Sequence, residues 1–181
     1  YWSGGEIPKA FSNDGQQIYY SSMYVSDATY SQYPASRMTQ VYRVASRGGR
    51  PELVTPICME SVDFSSDGKR IVYYDKKGVE DHWRKHHRSS VARDVWEYNV
   101  KAGTYTQISD FTGENRDPRF VPGDDNSIYY LRECAENPEN ATFNGSFNVY
   151  KRNLKTGAEQ QGTFHKTHPV RFLTVADNGL M

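Results

Sequence analysis

Phe64–Tyr74 reads FSSDGKRIVYY. A short apolar start, an Asp-Gly corner and an aromatic-rich run form the signal of a β-hairpin. The chain writes this stretch three times: Phe11–Tyr20 is FSNDGQQIYY and Phe120–Tyr130 is FVPGDDNSIYY. Val41, Val95 and Val149 stand 54 residues apart, each followed by an aromatic residue, and Gly49, Gly103 and Gly157 keep the same spacing. The hairpin phenylalanines fall 53 and 56 apart, and Phe172, a further 52 on, opens a fourth copy. A fixed period with small insertions marks a repeat protein.

Each period holds four strand candidates, a to d. In the middle copy they are Ser61–Ser65, Arg70–Tyr74, Asp94–Val100 and Thr104–Ser109. The first copy gives Lys9–Ser12, Gln17–Ser21, Gln40–Ala45 and Pro51–Thr55; the third gives Pro118–Val121, Ser127–Arg132, Asn148–Leu154 and Ala158–Phe164. The c–d corners, such as Lys101-Ala-Gly-Thr, carry glycine where the turn needs a positive φ. Four short antiparallel strands per repeat of about 50 residues is the pattern of a β-propeller blade.

The b strands IYY, IVYY and IYYL are apolar at consecutive positions rather than alternating. A sheet with one wet face alternates; a blade packed between two neighbours has no wet face. A β-sandwich is the competing architecture, but it does not give a strict period. The expected fold is all-β, a β-propeller fragment of about three four-stranded antiparallel blades plus the start of a fourth. Blade 1 covers about 6–56, blade 2 about 57–113 and blade 3 about 114–166, with the start of blade 4 at about 167–181. Propellers use 4–8 blades, so the chain is expected to be part of a longer ring. Its open blade faces would be covered by further blades or by self-association.

Composition narrows the function. The 22 basic residues balance 22 acidic ones, which gives no general attraction to nucleic acid or an anionic membrane. No run of about 18 apolar residues exists for a membrane span. Mean hydropathy is low at −0.82, yet 14 Tyr and 8 Phe supply large buriable surface. Cys58 and Cys134 make no disulfide framework and read as two free thiols. Asn140 and Asn144 match the glycosylation acceptor pattern, which occurs often by chance.

Strands in a blade alternate direction, so b–c loops and d–a connections share one face of the disc. The a–b and c–d turns, all short, share the other. The b–c loops are long: Ile18–Val41, Ile71–Val95 and Ile128–Val149 span 23, 24 and 21 residues. Long loops on a rigid scaffold are where binding concentrates. The first loop offers Tyr30, Tyr33 and Arg37, which could grip an extended peptide; packing or solvation is the plainer reading. The second places Trp83, Arg84, Lys85, His86, His87, Arg88 and Arg93 close together. Arginine forks there suit carboxylate groups of a peptide. The plainer reading has Trp83 packed on the blade and the charges solvated or paired with Glu80, Asp81 and Asp94. A zinc site from His82 and His86 with Glu80 or Asp81 would need a helix that nothing supports. The third loop, Glu133–Ser146, is acidic and amidic.

No cofactor or metal is expected, and no nucleophile has an identifiable base. There is no Gly-x-Ser-x-Gly elbow, His-Glu-x-x-His or phosphate loop. His165 and His168 read as structural, and Asp124-Asp125 as turn formers.

FSSDGKRIVYY and FSNDGQQIYY resemble the S-P-D-G-K-x-I-x-Y hairpin of WD40-like repeats in TolB-type proteins and tricorn-type proteases. Asp110–Phe120 (DFTGENRDPRF), Asp81–Trp96 (DHWRKHHRSSVARDVW) and Phe164–Gly179 (FHKTHPVRFLTVADNG) resemble the N-terminal propeller of large bacterial tricorn-like serine peptidases. The resemblance covers essentially the whole chain; the third hairpin departs from it with Val-Pro-Gly-Asp-Asp. It implies a non-catalytic propeller that guides or docks peptide or protein substrate for a peptidase core, in the periplasm or cell envelope. None of the core's catalytic motifs occurs here. The competing expectation is a TolB-type interaction propeller with no protease. A channel enzyme is disfavoured, because the a strands show no convergent acid, base or metal set.

Overall fold

The computed structural model describes residues 5–22, 40–77, 90–110, 113–137 and 142–181. The described residues contain strands and turns but no helix. Blade 1 is β1 (Ile7–Phe11), β2 (Gln17–Ser22), β3 (Gln40–Ala45) and β4 (Glu52–Thr55). Blade 2 is β5 (Met59–Phe64), β6 (Arg70–Asp75), β7 (Val95–Asn99) and β8 (Thr104–Gln107). Blade 3 is β9 (Asn115–Val121), β10 (Asp124–Asn137), β11 (Thr142–Asn153) and β12 (Glu159–Gln161). Each blade is a separate four-stranded antiparallel sheet in chain order, and the three form an open series.

The corner quoted first explains the hairpins. The Ser65 amide donates to the Arg70 carbonyl (3.0 Å), and the Gly68 amide to the Ser65 carbonyl (2.8 Å). Asp67 Oδ1 accepts from the Ser65 hydroxyl (2.7 Å) and the Lys69 amide (3.0 Å). These donors hold the exposed Asp67 carboxyl down at about 2. Gly68 supplies the required φ of 67°. Blade 1 repeats the arrangement through Ser12, Asp14 and Gly15. In the tail, the Gly179 amide donates to the Ala176 carbonyl (2.8 Å) and the Leu180 amide to Asn178 Oδ1 (3.1 Å). The corner of the fourth copy is thus formed, although no strand is.

The core lies between the sheets. Along β6, Ile71 and Tyr73 pack towards blade 1 with Val41 and Met59, while Val72 packs towards blade 3 with Phe120, Ile128 and Tyr130. Both faces of one strand are therefore dry, which is why its apolar residues run consecutively. A third cluster joins Leu131, Phe147 and Val149 to Leu173 of the tail. Leu173 is 4% exposed, whereas its neighbour Phe172 is 86% exposed. The tail covers blade 3 with an extended segment rather than a strand.

Two elements differ from the sequence expectation. Glu133–Ser146, expected as a loop, is largely an extension of the β10–β11 ladder, with Glu133 opposite Phe147 and Asn137 opposite Thr142. The ladder has two irregularities: between Glu133 and Ala135 the extra residues lie in β11, with Gly145 at φ 72°, and between Ala135 and Asn137 the extra residue lies in β10. The second is a bulge in each a strand. Ser61 (φ 52°) and Asp117 (φ 51°) occupy equivalent places, three residues before Phe64 and Phe120. The pairings shift register there, and between Pro8 and Ala10 in β1.

Side-chain to backbone bonds bind blades 2 and 3. Asp63 Oδ2 accepts the Phe120 amide (2.7 Å), and Arg119 donates to the Ser61 carbonyl (3.0 Å). The Ser66 amide donates to Asp125 (2.9 Å), whose backbone carbonyl accepts from Arg70. Blade 1 reaches blade 2 the same way, through Asn13 to the Ser65 (2.8 Å) and Ser66 (2.6 Å) carbonyls. The short turns of the plain face are latched to one another.

Burial raises the Asp63 carboxyl above its ordinary value, opposed by the Phe120 amide and Arg119. The folded state then holds the proton more tightly than the unfolded chain, so this group's stabilisation grows as pH falls through its folded pKa and fades as pH rises. Asp63→Asn keeps an acceptor for the Phe120 amide. It should change neutral-pH stability by less than about 1 kcal/mol, whereas Asp63→Ala should cost about 1–3 kcal/mol. Denaturant melts at neutral and mildly acidic pH check both. The wild type should gain on Asp63→Asn as the solution is acidified.

Candidate functional site

β6 ends at Asp75 and β7 begins at Val95, so the second b–c loop leaves and re-enters the sheet side by side. Its two feet are clamped. The Asp94 amide donates to Asp75 Oδ1 (2.8 Å), and the Asp75 amide donates to the Asp94 carbonyl (3.0 Å). Lys77 bridges to the Ala92 carbonyl (2.9 Å) and Asp94 Oδ2 (2.5 Å). Burial raises the Asp75 carboxyl, while the Asp94 amide and Lys77 oppose the rise. The two feet therefore form a closed neck beside the seam between blades 2 and 3.

Of the sequence-derived site residues, only Arg93 lies among the described residues. Tyr30, Tyr33, Arg37, Trp83, Arg84, Lys85, His86, His87 and Arg88 lie outside them, as do His82, Glu80 and Asp81 of the zinc alternative. Arg93 points into the seam. It pairs with Glu114 Oε1 (2.7 Å) and lies over the Tyr74 ring (5.3 Å to the centroid). Its backbone is also fixed, since its carbonyl accepts the Asn115 amide (2.9 Å). Arg93 thus acts as a positioning residue that ties the loop's second foot to blade 3.

Around it the seam brings together residues that the sequence reading did not single out. Glu114 and Glu133 are both buried, and the Glu114 amide donates to Glu133 Oε2 (3.1 Å). Arg116 sits on the Phe147 ring (3.9 Å) and within 3.9 Å of both Glu114 and Asp117. The Tyr74 phenol is pushed up to about 12, chiefly by burial, with Arg93, Asp117, Glu60 and Arg116 within electrostatic reach. Nearby, Lys9 and Lys76 hold Glu60 at 2.7 and 3.7 Å. The one signal in the sequence was Glu114–Asp117, ENRD, a charged run at the mouth of a strand whose middle-copy counterpart begins MES.

The seam offers paired charges, hydroxyl and amide groups. Among the described residues no group of three or more His, Cys, Asp or Glu is placed to hold a metal ion. Both cysteines are free, Cys58 buried and Cys134 partly so.

No family model matches the sequence, and no curated protein matches it. Solved structures do. TolB from Acinetobacter baumannii superposes with a TM-score of 0.64 at 14% identity, covering 97% of this chain and 36% of that one. A putative TolB from Agrobacterium tumefaciens gives 0.57 at 18% identity, covering 86% and 45%. A puromycin-hydrolysing peptidase of Mycobacterium tuberculosis gives 0.55 at 11% identity, covering 86% and 20%. The fold is that of part of a β-propeller like those in the TolB structures, and the chain spans less than half the length of these structures.

Breaking the Arg93–Glu114 pair removes a cation 2.7 Å from a buried carboxylate. Arg93→Ala should cost about 3 kcal/mol in thermal or denaturant unfolding. Arg93→Lys, which keeps the charge, should cost less. The loss on Arg93→Ala should shrink in an Arg93→Ala, Glu114→Gln double variant.

Proposed function

We propose that the chain is a non-catalytic propeller segment that docks peptide or protein substrate on its b–c face, for a tricorn-like serine peptidase core. The observation that carries this reading is the clamped neck. It fixes Asp75 and Asp94 side by side and so presents the loop bearing Trp83, Arg84, Lys85, His86, His87 and Arg88 from a rigid seam. Loops held so on a stiff scaffold are suited to recognition. Arginine forks on that loop would take carboxylates of the substrate, and Tyr30, Tyr33 and Arg37 would extend the contact from blade 1. The resemblance of DHWRKHHRSSVARDVW and FHKTHPVRFLTVADNG to the propellers of tricorn-like peptidases supports the peptidase parent. One similar fold, the puromycin-hydrolysing enzyme, is itself named as a peptidase.

The second reading is an interaction propeller with no protease, favoured by the superposition on two TolB structures. The parent reading frame separates the two: a peptidase core in the same polypeptide supports the first, and a ring of blades alone supports the second. In either case the exposed Ile7, Phe11 and Leu53 of blade 1 would be covered by a further blade.

The isolated chain should hydrolyse no peptide. Turnover by pure protein that a serine-directed inhibitor abolishes would contradict the reading. Arg84→Ala combined with Arg88→Ala should weaken calorimetric binding of peptides with free carboxylates about tenfold or more, with unfolding unchanged. Equal binding by the double variant would remove these two residues from the site.

A further inference from the structure

We infer that Arg116, Asp117 and Tyr74 form a main-chain reading site at the seam between blades 2 and 3, where an extended peptide lays the C=O and N–H of one residue, which share an edge of the strand, against the guanidinium and the carboxylate. This inference rests on the docking role proposed above and names the ligand chemistry of a site within it.

Three observations converge. Asp117 holds a left-handed φ of 51° at the bulge of β9, and non-glycine residues kept in that region cluster at functional sites. Its equivalent in blade 2, Ser61, has φ 52°, but there the bulge carbonyl is engaged by Arg119 (3.0 Å), and Glu60 beside it is paired with Lys9 (2.7 Å). In blade 3 the side chain at the place of Glu60, Arg116, makes no hydrogen bond among the described residues, and its ion-pair contacts to Glu114 and Asp117 are both at 3.9 Å. Arg116 and Asp117 approach no closer than 3.9 Å, beyond hydrogen-bond length, and Arg116 Nε is buried without a partner. Among the described residues no hydrogen bond reaches the Asp117 carboxylate, the Arg116 guanidinium or the Tyr74 hydroxyl, although all three lie within electrostatic reach of one another.

The side chains of Arg116 and Asp117 are each 19% exposed. They are thus partly exposed, with Arg116 held by the Phe147 ring and Asp117 by the strained backbone. The pair is a donor fork beside an acceptor with no net charge. A strongly charged ligand gains little from a neutral pair, whereas each alternate residue of an extended peptide presents its carbonyl and its N–H on one edge, which match a donor and an acceptor side by side. The Arg116 fork donates to the carbonyl, Asp117 accepts the N–H, and the Tyr74 hydroxyl serves the next unit. Because it reads the main chain, the site is indifferent to side chains.

The probe is an uncharged hexapeptide, acetyl-Gly-Ala-Ser-Gly-Ala-Ser-amide, titrated into the chain by NMR, which registers weak binding. Its backbone N-methylated counterpart is the control. Arg116→Gln and Asp117→Asn are the variants; asparagine tolerates the left-handed region, so the bulge survives. Each variant should weaken binding roughly tenfold, the loss expected for a hydrogen bond to a charged group, and N-methylation should weaken it similarly on the wild type. The peptide comparison on wild-type protein needs no variant to fold. Equal binding of the two peptides, or variants that bind like wild type, would overturn the site and leave peptide docking elsewhere on the b–c face intact. No binding of any peptide to the wild type, including those with free carboxylates, would overturn both.

Discussion

A blade of this chain is a sheet with two apolar faces, and only another blade can dry both. The β6 run of Ile71, Val72 and Tyr73 sends successive side chains to opposite neighbours, and all three are buried. Fully burying a side chain of this class is worth about 1.5–3 kcal/mol, so the stack, more than any single sheet, carries the stability. The gradient along the series shows the dependence. Phe120, between blades 2 and 3, is 6% exposed, while its equivalent Phe11, on the free face of blade 1, is 64% exposed. The tail performs the same service for blade 3 with Val170, Leu173 and Val175.

That constraint divides the labour between the two faces of the disc. The plain face is occupied with latching blades together, through Asn13, Ser66, Asp125 and the Asx-type corners. The opposite face inherits freedom. Its first two connections are long in sequence, and polar residues gather where blades 2 and 3 meet, Arg93 and Glu114 joining the two blades there as well. Arg93, Glu114, Arg116 and Asp117 lie in a wedge that two sheets hold stiff from either side. Preorganised groups of this kind bind with little ordering cost.

The repeat was legible because its signals are local. The Asp-Gly corner, the period and the consecutive apolar b strands each follow from one residue's neighbours, and the β3 and β6 strands start at the residues expected, Gln40 and Arg70. The extension of β10 and β11 was not legible, since Glu133 and Asn148 are buried by tertiary context that outweighs their polarity. The a-strand bulge escaped for a related reason. Ser61 and Asp117 differ in type, and only the three-dimensional register reveals that they share one place. For the site, sequence singled out the loop by its charge but missed the seam, because Tyr74 comes from blade 2 and Arg116 and Asp117 from blade 3.

The central claim is the proposal that peptide is met on the b–c face, while the a–b corners serve only to latch the blades. Hydrogen exchange of the chain with and without a saturating peptide tests it most directly. Protection should rise at the amides of Asp75, Asp94, Asn115 and Asp117, and stay unchanged at the Ser12–Gln17 and Ser65–Arg70 corners. Protection that rises at those corners and not at the seam would contradict the account.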